Sequence, residues 1–265
     1  MSEQQDRDAA LREIAKKQVV YRIAGMDALP VRRDIQYHAS LPMDVYYPPE
    51  PRGARVPATV IAFGFPDPEG RIRMFGPITS WARLIAASGS AAVVLGTASP
   101  ADDLLEALGY LRANAASLGL DERRIGLFAT SGNAPVALAT LMNDRTLACA
   151  ALLYGYTLDL DGTTAVADAA RQFGFANASA ERSLDDLPPT VPLLFVRAGR
   201  DQFQGLNAAL DRVVSAALAR NLPVALVNHP TGAHGFDLDE DTPASRRVIG
   251  DVLAFLRGHL LDESR

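Results

Sequence analysis

The sequence contains a single cysteine, Cys149, and no apolar run that approaches the length of a membrane-spanning helix. One cysteine cannot form an internal disulfide, and it cannot build a cysteine-based metal site on its own. A transmembrane helix needs roughly 20 consecutive apolar residues. Positive charge is not in excess either, because 26 lysines and arginines stand against 31 aspartates and glutamates, for a net charge of -5. The acidic balance argues against nucleic acid as the main partner, since binding to phosphates needs a clustered positive surface.

The chain is long enough and apolar enough to form one large hydrophobic core. It has 265 residues, of which 48% are hydrophobic, and a chain of this size buries roughly three quarters of its unfolded surface. The N-terminal residues are polar and charged, without the apolar stretch of a secretory signal. We therefore expect residues 1–265 to form a single cytoplasmic domain that does not associate with membranes and that binds a small molecule.

An N-terminal extension precedes the main pattern and covers residues 1–32. Within it, residues 6–20 predict an amphipathic helix, because Leu11 and Ile14 lie three positions apart on one face. Such a helix docks either on the body of the protein or on a neighbouring subunit. The sequence therefore leaves a homodimer open.

From about residue 57 onward, apolar strand-like runs alternate with amphipathic helical stretches. The predicted strands span residues 56–63, 90–95, 124–130, 147–153, 191–198 and 223–228. The predicted helices span residues 74–88, 100–118, 132–143, 203–220 and 243–260. Nearly continuous apolar strands that alternate with helices are typical of a parallel sheet covered by helices on both faces.

Two segments depart from this alternation. Residues 34–38 and 43–47 predict two further strands, which we interpret as an antiparallel hairpin that precedes the parallel series. Residues 155–187 follow the sixth predicted strand, are mixed in polarity, and are too long for an ordinary connection. We interpret this second segment as a lid-like insertion.

One serine stands where a strand-like run gives way directly to a helical stretch. Ser131 follows the apolar run 125–130, which is the layout of a nucleophile elbow, a tight turn that presents a serine oxygen at the end of a sheet. An elbow usually has glycine two positions before and two positions after the serine, and here those positions hold Ala129 and Asn133. A serine at this place also serves as an ordinary helix N-cap, so the motif needs support from elsewhere.

An acid and a histidine follow at the ends of later strands. Asp201 comes after a glycine turn at the end of strand 191–198, and His234 lies beside a glycine in the loop after strand 223–228. A serine hydroxyl is a weak nucleophile until a base accepts its proton, and that base works best when a carboxylate orients it. The order Ser, Asp, His along the chain predicts such a triad.

Other residues remain alternatives at this stage. Asp159 or Asp161 could be the acid, and His229 could be the base. The acidic run 237–241 is interpreted as a solvated loop and helix start. No metal site is expected, because no His-Glu-x-x-His motif or acidic pair at metal spacing occurs. Four arginines could hold a substrate carboxylate, although solvated surface charge is their commoner role: Arg71, Arg73, Arg197 and Arg200.

Three motifs give the chain a family resemblance from about residue 35 to its C-terminus. They are Ile-Gly-Leu-Phe-Ala-Thr-Ser-Gly-Asn around Ser131, Ala-Gly-Arg-Asp ending at Asp201, and Ala-His-Gly-Phe containing His234. In this order they resemble α/β-hydrolases of the dienelactone hydrolase and small-esterase branch. The resemblance implies the α/β-hydrolase fold, with a mostly parallel central sheet, helices on both faces and a short insertion after the sixth strand.

The resemblance also implies roles for the motif residues. Ser131 would be the nucleophile, His234 the general base and Asp201 the orienting acid. The N–H of Gly132 would be one donor of the oxyanion hole. The second donor would come from the loop after strand 56–63, where Phe-Gly-Phe replaces the His-Gly common in the family, and Phe65 N–H is the expected group. Apart from the resemblance, four residues could line the substrate pocket or could equally belong to the core: Met74, Phe75, Tyr154 and Tyr156.

The implied activity is hydrolysis of carboxylic esters with small or medium acyl groups, through an acyl-enzyme and without a cofactor. Hydrolysis of lactones, thioesters or amides, and acyl transfer to an acceptor other than water, are alternatives on the same triad. A catalytically silent binding protein is a further alternative, because Asn133 and the missing loop histidine depart from the family pattern.

Overall fold

The architecture is a single sheet with helices packed on it. The computed structural model describes residues 12–38, 41–51, 53 and 55–261, and in these residues eight strands form one sheet in the order β1-β2-β4-β3-β5-β6-β7-β8. The strands are β1 (Val31–His38), β2 (Leu41–Tyr46), β3 (Val56–Ile61), β4 (Ala91–Leu95), β5 (Leu120–Thr130), β6 (Cys149–Leu153), β7 (Leu193–Ala198) and β8 (Val224–His229). The helices are α1 (Gly76–Ala87), α2 (Pro100–Ala113), α3 (Ala115–Leu118), α4 (Ala134–Asn143), α5 (Ala165–Phe173), α6 (Leu206–Ala219), α7 (Phe236–Asp239) and α8 (Pro243–Leu260).

The strand pairings confirm the predicted parallel series and the hairpin before it. β1 pairs antiparallel with β2, and β2 pairs antiparallel with β4. All pairings among β3 to β8 are parallel. The chain runs from β3 to β4 on one side and then returns to β5 on the other. This reversal of strand order opens a crevice beyond the carboxyl ends of β3 and β5, where sheets of this kind bind ligands.

The sheet separates two apolar layers. Consecutive residues of β5 point to opposite faces, so Leu127 packs into one buried cluster and Phe128 into the other. The prediction that the strands are covered on both faces is wrong for β8, where Leu226 is 43% exposed. β8 is the last strand of the sheet, and most of its side chains lie at least partly open to solvent.

Two predicted helices differ in extent. The helix expected over 100–118 is divided into α2 and α3 at Asn114, whose side-chain amide donates to the carbonyl of Tyr110. Of the predicted N-terminal helix, residues 12–16 are helical, residues 17–20 are not, and residues 6–11 lie outside the described part. No helix within the described ranges is both long enough and apolar enough to cross a membrane.

The connection between β6 and β7 lies next to the loop that follows β3. It contains α5 and a 3₁₀ turn over Leu184–Asp186. The N–H of Ala176, in this connection, donates to the carbonyl of Gly64 at 2.7 Å. That the connection acts as a lid stays a prediction.

Candidate active site

The turn after β5 holds Ser131 in an unusual backbone conformation. Its φ is +53°, in the left-handed region that residues other than glycine seldom adopt. A 3₁₀ turn over Ser131–Asn133 leads directly into α4, which has Pro135 in its first turn, where the missing N–H has no helical partner to lose. A strained strand-to-helix turn of this kind has the geometry predicted for a nucleophile elbow. The hydrogen bond of the Ser131 side chain is made to Nε2 of His234 and not to a backbone N–H group of α4.

The structure brings the three predicted triad residues into one hydrogen-bonded row. Ser131 Oγ lies 2.7 Å from Nε2 of His234, and Nδ1 of His234 lies 2.7 Å from Oδ2 of Asp201. Each residue follows the carboxyl end of a parallel strand, β5 for the serine, β7 for the acid and β8 for the histidine. With Nδ1–H donated to the carboxylate, Nε2 is free to accept the serine proton.

Packing and further hydrogen bonds hold the acid and the histidine. The Asp201 side chain is 0% exposed, and its Oδ1 accepts from the N–H of Phe203 at 2.9 Å. The His234 ring meets Phe203 and Tyr154 in T-shaped contacts, with centroids 4.5 and 4.7 Å away. The imidazole therefore lies between two aromatic rings that restrict its tilt.

The alternative acids and the alternative base have other partners. Asp159 accepts hydrogen bonds from two backbone N–H groups at the start of α5, and Asp161 lies 3.6 Å from Arg212. His229 is buried, with Nε2 3.0 Å from Oγ of Ser245. Burial lowers the pKa of His229, which favours a neutral ring within the core.

The loop after β3 packs directly on the elbow. A Cβ on Gly64 would lie only 2.4 Å from the carbonyl oxygen of Gly132, so no larger residue fits at position 64 without displacing one of the two segments. This contact places the residue before Phe65 against Gly132; that the N–H groups of Phe65 and Gly132 form an oxyanion hole stays a prediction. Asn133 has ordinary helical angles, φ -84° and ψ -18°, and its Oδ1 accepts from the N–H of Gly64 at 2.8 Å.

The four predicted pocket residues have different surroundings. Tyr156 is buried and stacks on Phe175 with centroids 5.1 Å apart, and burial raises the pKa of Tyr156 to about 12. Met74 is 63% exposed, and Phe75 is the partly buried residue that precedes α1. Tyr154 contacts the ring of His234, as described above. Sequence reasoning missed Phe175 and Phe203, although Phe203 follows Asp201 by only two positions.

The interpretation of residues 237–241 as a solvated segment is wrong for its first residue. Asp237 is fully buried, accepts from Tyr154 Oη at 2.5 Å, and accepts from Trp81 Nε1 at 2.7 Å. Burial, and then the neighbouring Asp237 carboxylate, raise the pKa of Tyr154 well above its ordinary value. The phenol therefore stays protonated, and this buried network supports the ring on which His234 rests.

Asp237 predicts a pH dependence of stability. Burial raises the pKa of Asp237, although the hydrogen bonds from Tyr154 and Trp81 act in the opposite direction. The native state therefore binds this proton more tightly than the unfolded chain, so the free energy of unfolding falls as pH rises above about 4. An asparagine at this position could not ionise, and its amide could still accept from Trp81 and donate to the Tyr154 hydroxyl. We expect Asp237→Asn to gain stability relative to the parent as pH rises.

Urea unfolding of both proteins between about pH 4 and pH 8 measures this difference. Asp241→Asn is the matched control, because the hydrogen bond from Arg246 lowers the pKa of Asp241. A lowered pKa stabilises the parent fully above about pH 4 and ceases to do so only as pH falls below that value, so the difference between Asp241→Asn and the parent should stay nearly constant over this range. A difference between Asp237→Asn and the parent that stays constant with pH would contradict the expectation.

The interpretation of the four arginines as solvated surface charge is wrong for Arg73. Its guanidinium is buried and paired with Asp44 and Asp34. These pairs tie the segment after the loop that contains Gly64 and Phe65, called the oxyanion loop below, to the β1–β2 hairpin. That pairing leaves Arg73 without the exposed charge that a substrate carboxylate would need. The other three are surface or partly exposed groups: Arg71 pairs with Glu69, Arg197 pairs with Asp211, and Arg200 is exposed.

Among the described residues, one group of three side chains has the types and spacing of metal ligands. His38, Asp103 and Glu106 bring one ligand atom each to within 4.8 Å of one another. They belong to β1 and α2, not to the loops that carry the triad. Asp103 already accepts hydrogen bonds from the N–H groups of Ala98 and Ser99, which immediately precede α2, so its carboxylate has a structural role in closing the N-terminus of that helix.

No protein-family model matches the chain, and no curated protein matches it. Solved structures do match it over nearly its whole length. A thermostable esterase from Pseudomonas putida is 17% identical, with a TM-score of 0.71, over 98% of this chain and 91% of that chain. EstE1, a thermophilic carboxylesterase from a metagenomic library, is 17% identical, with a TM-score of 0.68, over 98% of both chains. LAE6, an α/β hydrolase from the metagenome of Lake Arreo, is 17% identical, with a TM-score of 0.68, over 99% of this chain and 91% of that chain.

At this level of identity the likeness establishes the fold. The chain has the α/β-hydrolase fold, as its motifs implied, and structures with that fold include esterases. A fold of this kind hosts many activities, so function has to be argued from the site. Membership of the dienelactone hydrolase branch stays a prediction.

Proposed function

We propose that this protein is a serine hydrolase that cleaves carboxylic esters of small or medium acyl groups. The observation that carries the proposal is the row Ser131, His234 and Asp201, with both hydrogen bonds at 2.7 Å. The strained backbone of Ser131, with φ at +53°, adds independent support, because such strain is characteristic of a presented nucleophile. The likeness to solved esterases agrees with this chemistry.

In the acylation step, Ser131 Oγ attacks the ester carbonyl while His234 Nε2 takes the hydroxyl proton. The carbonyl π electrons move to the oxygen, which becomes the oxyanion of a tetrahedral intermediate. The N–H groups of Gly132 and Phe65 donate to this oxyanion. His234 then gives its proton to the alcohol oxygen as the C–O bond breaks, which leaves the acyl group on Ser131.

In the deacylation step, His234 accepts a proton from water, and the resulting hydroxide attacks the acyl-enzyme carbonyl. A second tetrahedral intermediate forms in the same oxyanion hole. It collapses as His234 returns the proton to Ser131 Oγ, so that the acid product leaves and the enzyme is regenerated. Asp201 stabilises the imidazolium in both steps and keeps the histidine in the productive tautomer.

Aromatic rings next to Gly132 support an apolar acyl group of limited size. A Cβ on Gly132 would lie 2.7 Å from the Phe175 ring, so that ring covers one side of the elbow. Phe175 contacts Phe65 edge-on, with centroids 6.3 Å apart, and stacks on Tyr156. These rings present apolar surface beside the elbow, which suits an apolar acyl group of small or medium size.

Covalent labelling with a fluorophosphonate tests the nucleophile. We expect the parent protein to be labelled and Ser131→Ala to stay unlabelled, because the probe phosphonylates only an activated serine. Ser117→Ala is the matched control, since Ser117 is exposed in α3 and its hydroxyl only donates to the carbonyl of Asn114. We expect this control to be labelled like the parent.

A panel of p-nitrophenyl esters of increasing chain length then defines the acyl group. Turnover of short and medium esters, with a decline for long ones, is the expected profile. Equal labelling of the parent and Ser131→Ala, or no labelling of either, would overturn the nucleophile assignment. Labelling without turnover of any ester would overturn ester hydrolysis and favour amides, thioesters or another acyl acceptor.

A further inference from the structure

Asn133 departs from the usual elbow sequence, and its side chain contacts the loop that carries the second donor of the proposed oxyanion hole. Asn133 stands two positions after Ser131, where glycine is usual. Its backbone angles, φ -84° and ψ -18°, are available to any residue, so backbone strain gives no reason for asparagine here. Its side chain is buried, and buried amides need hydrogen-bond partners.

The partner of the Asn133 side chain is the oxyanion loop. Its Oδ1 accepts from the N–H of Gly64 at 2.8 Å. Its Nδ2 makes only a long contact, at 3.5 Å, with Thr130 Oγ1. The strong hydrogen bond therefore runs from the elbow, which carries Gly132 N–H, to the loop that carries Phe65 N–H.

Two hydrogen bonds together fix both peptide planes that flank Gly64. Gly64 N–H donates to Asn133 Oδ1, which holds the peptide plane before Gly64. Ala176 N–H donates to the Gly64 carbonyl at 2.7 Å, which holds the peptide plane after Gly64. That carbonyl and the N–H of Phe65 belong to the same planar trans peptide group, so they point in opposite directions. Orientation of the carbonyl toward Ala176 thus sets the direction of the Phe65 donor.

We propose that Asn133 is a positioning residue that holds the oxyanion loop in register with the nucleophile elbow. This inference rests on the proposed serine hydrolase function. Position 64 requires glycine, because a Cβ there would collide with the Gly132 carbonyl oxygen. A loop centred on glycine has unusual backbone freedom. The Asn133 amide removes that freedom, and catalytic donors need placement to within about 0.5 Å. Glycine at position 133 would supply no such bond.

Asn133→Ala and Asn133→Gly test the inference, since both remove the acceptor and the second restores the usual elbow residue. We expect kcat for a p-nitrophenyl ester to fall about 10-fold to 100-fold, which is less than the loss of a whole oxyanion donor. We expect KM to change by no more than about 3-fold, because a transition-state contact is weakened and ground-state binding is not. Asn143→Ala, an asparagine change at the far end of α4, is the matched control and should behave like the parent.

Affinity for an alkyl boronic acid separates positioning from general loosening of the fold. The boronate forms a tetrahedral adduct on Ser131 whose oxygen occupies the oxyanion hole. We expect its inhibition constant to rise in both variants by the same factor as kcat falls. If the parent hydrolyses esters and both variants keep the parent kcat and boronate affinity, the inference is wrong and the proposed function stands. If the parent is neither labelled nor active, the proposed function fails, and the inference fails with it.

Discussion

Replacement of His234 with alanine is expected to lower kcat for p-nitrophenyl esters by about 10⁶-fold, and Ser131→Ala by about the same factor. In the proposed mechanism neither residue works without the other, because the serine proton would leave along the 2.7 Å hydrogen bond between Ser131 Oγ and His234 Nε2. The double variant is therefore expected to be no slower than either single variant. Steady-state kinetics on one ester with all three proteins measures this non-additivity.

His229→Gln is the matched control, because it changes the other histidine at the carboxyl end of β8. The His229 ring is buried against Ser245 and not against the nucleophile, and glutamine keeps a hydrogen-bonding group. We expect this variant to retain kcat to within a few-fold, with lower thermal stability. Loss of activity in His229→Gln together with an active His234→Ala would show that the base has been assigned to the wrong histidine.

Replacement of Asp201 with asparagine is expected to lower kcat by about 10⁴-fold, the size of this change in serine proteases. The Asp201 carboxylate accepts the Nδ1–H of His234 at 2.7 Å and so leaves Nε2 unprotonated toward Ser131. An asparagine amide can turn to donate to Nδ1 instead, which stabilises the tautomer that carries its proton on Nε2. That tautomer cannot accept the serine proton. Activity of the purified variant at a pH near neutrality measures the effect.

Asp159→Asn is the control for the Asp201→Asn prediction, since Asp159 is one of the two alternative acids that follow β6. Its carboxylate accepts from the N–H groups of Val166 and Ala167. We expect this variant to keep its activity and to lose about 1 kcal/mol of stability, because an amide keeps only one of the two acceptor oxygens. A large fall in kcat for Asp159→Asn, with Asp201→Asn near the parent, would reverse the assignment of the acid.

The sheet could be predicted because local pattern and global fold agree in this chain. Buried parallel strands consist almost entirely of apolar residues, and the predicted run 147–153 contains β6 with every residue buried. The order of the serine, the acid and the histidine was also predictable, because each follows the end of such a strand. β8 shows the limit of this reasoning. Its composition matches the buried strands, and only its place at the end of the sheet leaves Leu226 exposed.

Charged residues were the least predictable part of the molecule. Arg73 and Asp237 each lie in a polar segment of sequence that suggests a solvated surface. Arg73 can be buried because Asp34 and Asp44 pair with it from the hairpin. Asp237 can be buried because Trp81 and Tyr154 donate hydrogen bonds to it. A buried charge requires compensating partners, and these partners lie far away in the sequence.

The α/β architecture and the three residues on which the proposed serine hydrolase would depend could be predicted without a structure, because hydrophobic periodicity and strand-end motifs are local. The contact made by Asn133 could not be predicted in this way. In the sequence Asn133 is a bulky residue where glycine belongs, and in the fold its amide reaches Gly64, which lies 69 residues earlier in the chain. Whether a side chain weakens a turn or supports it depends on which distant backbone group it meets, and that meeting exists only once the chain has folded.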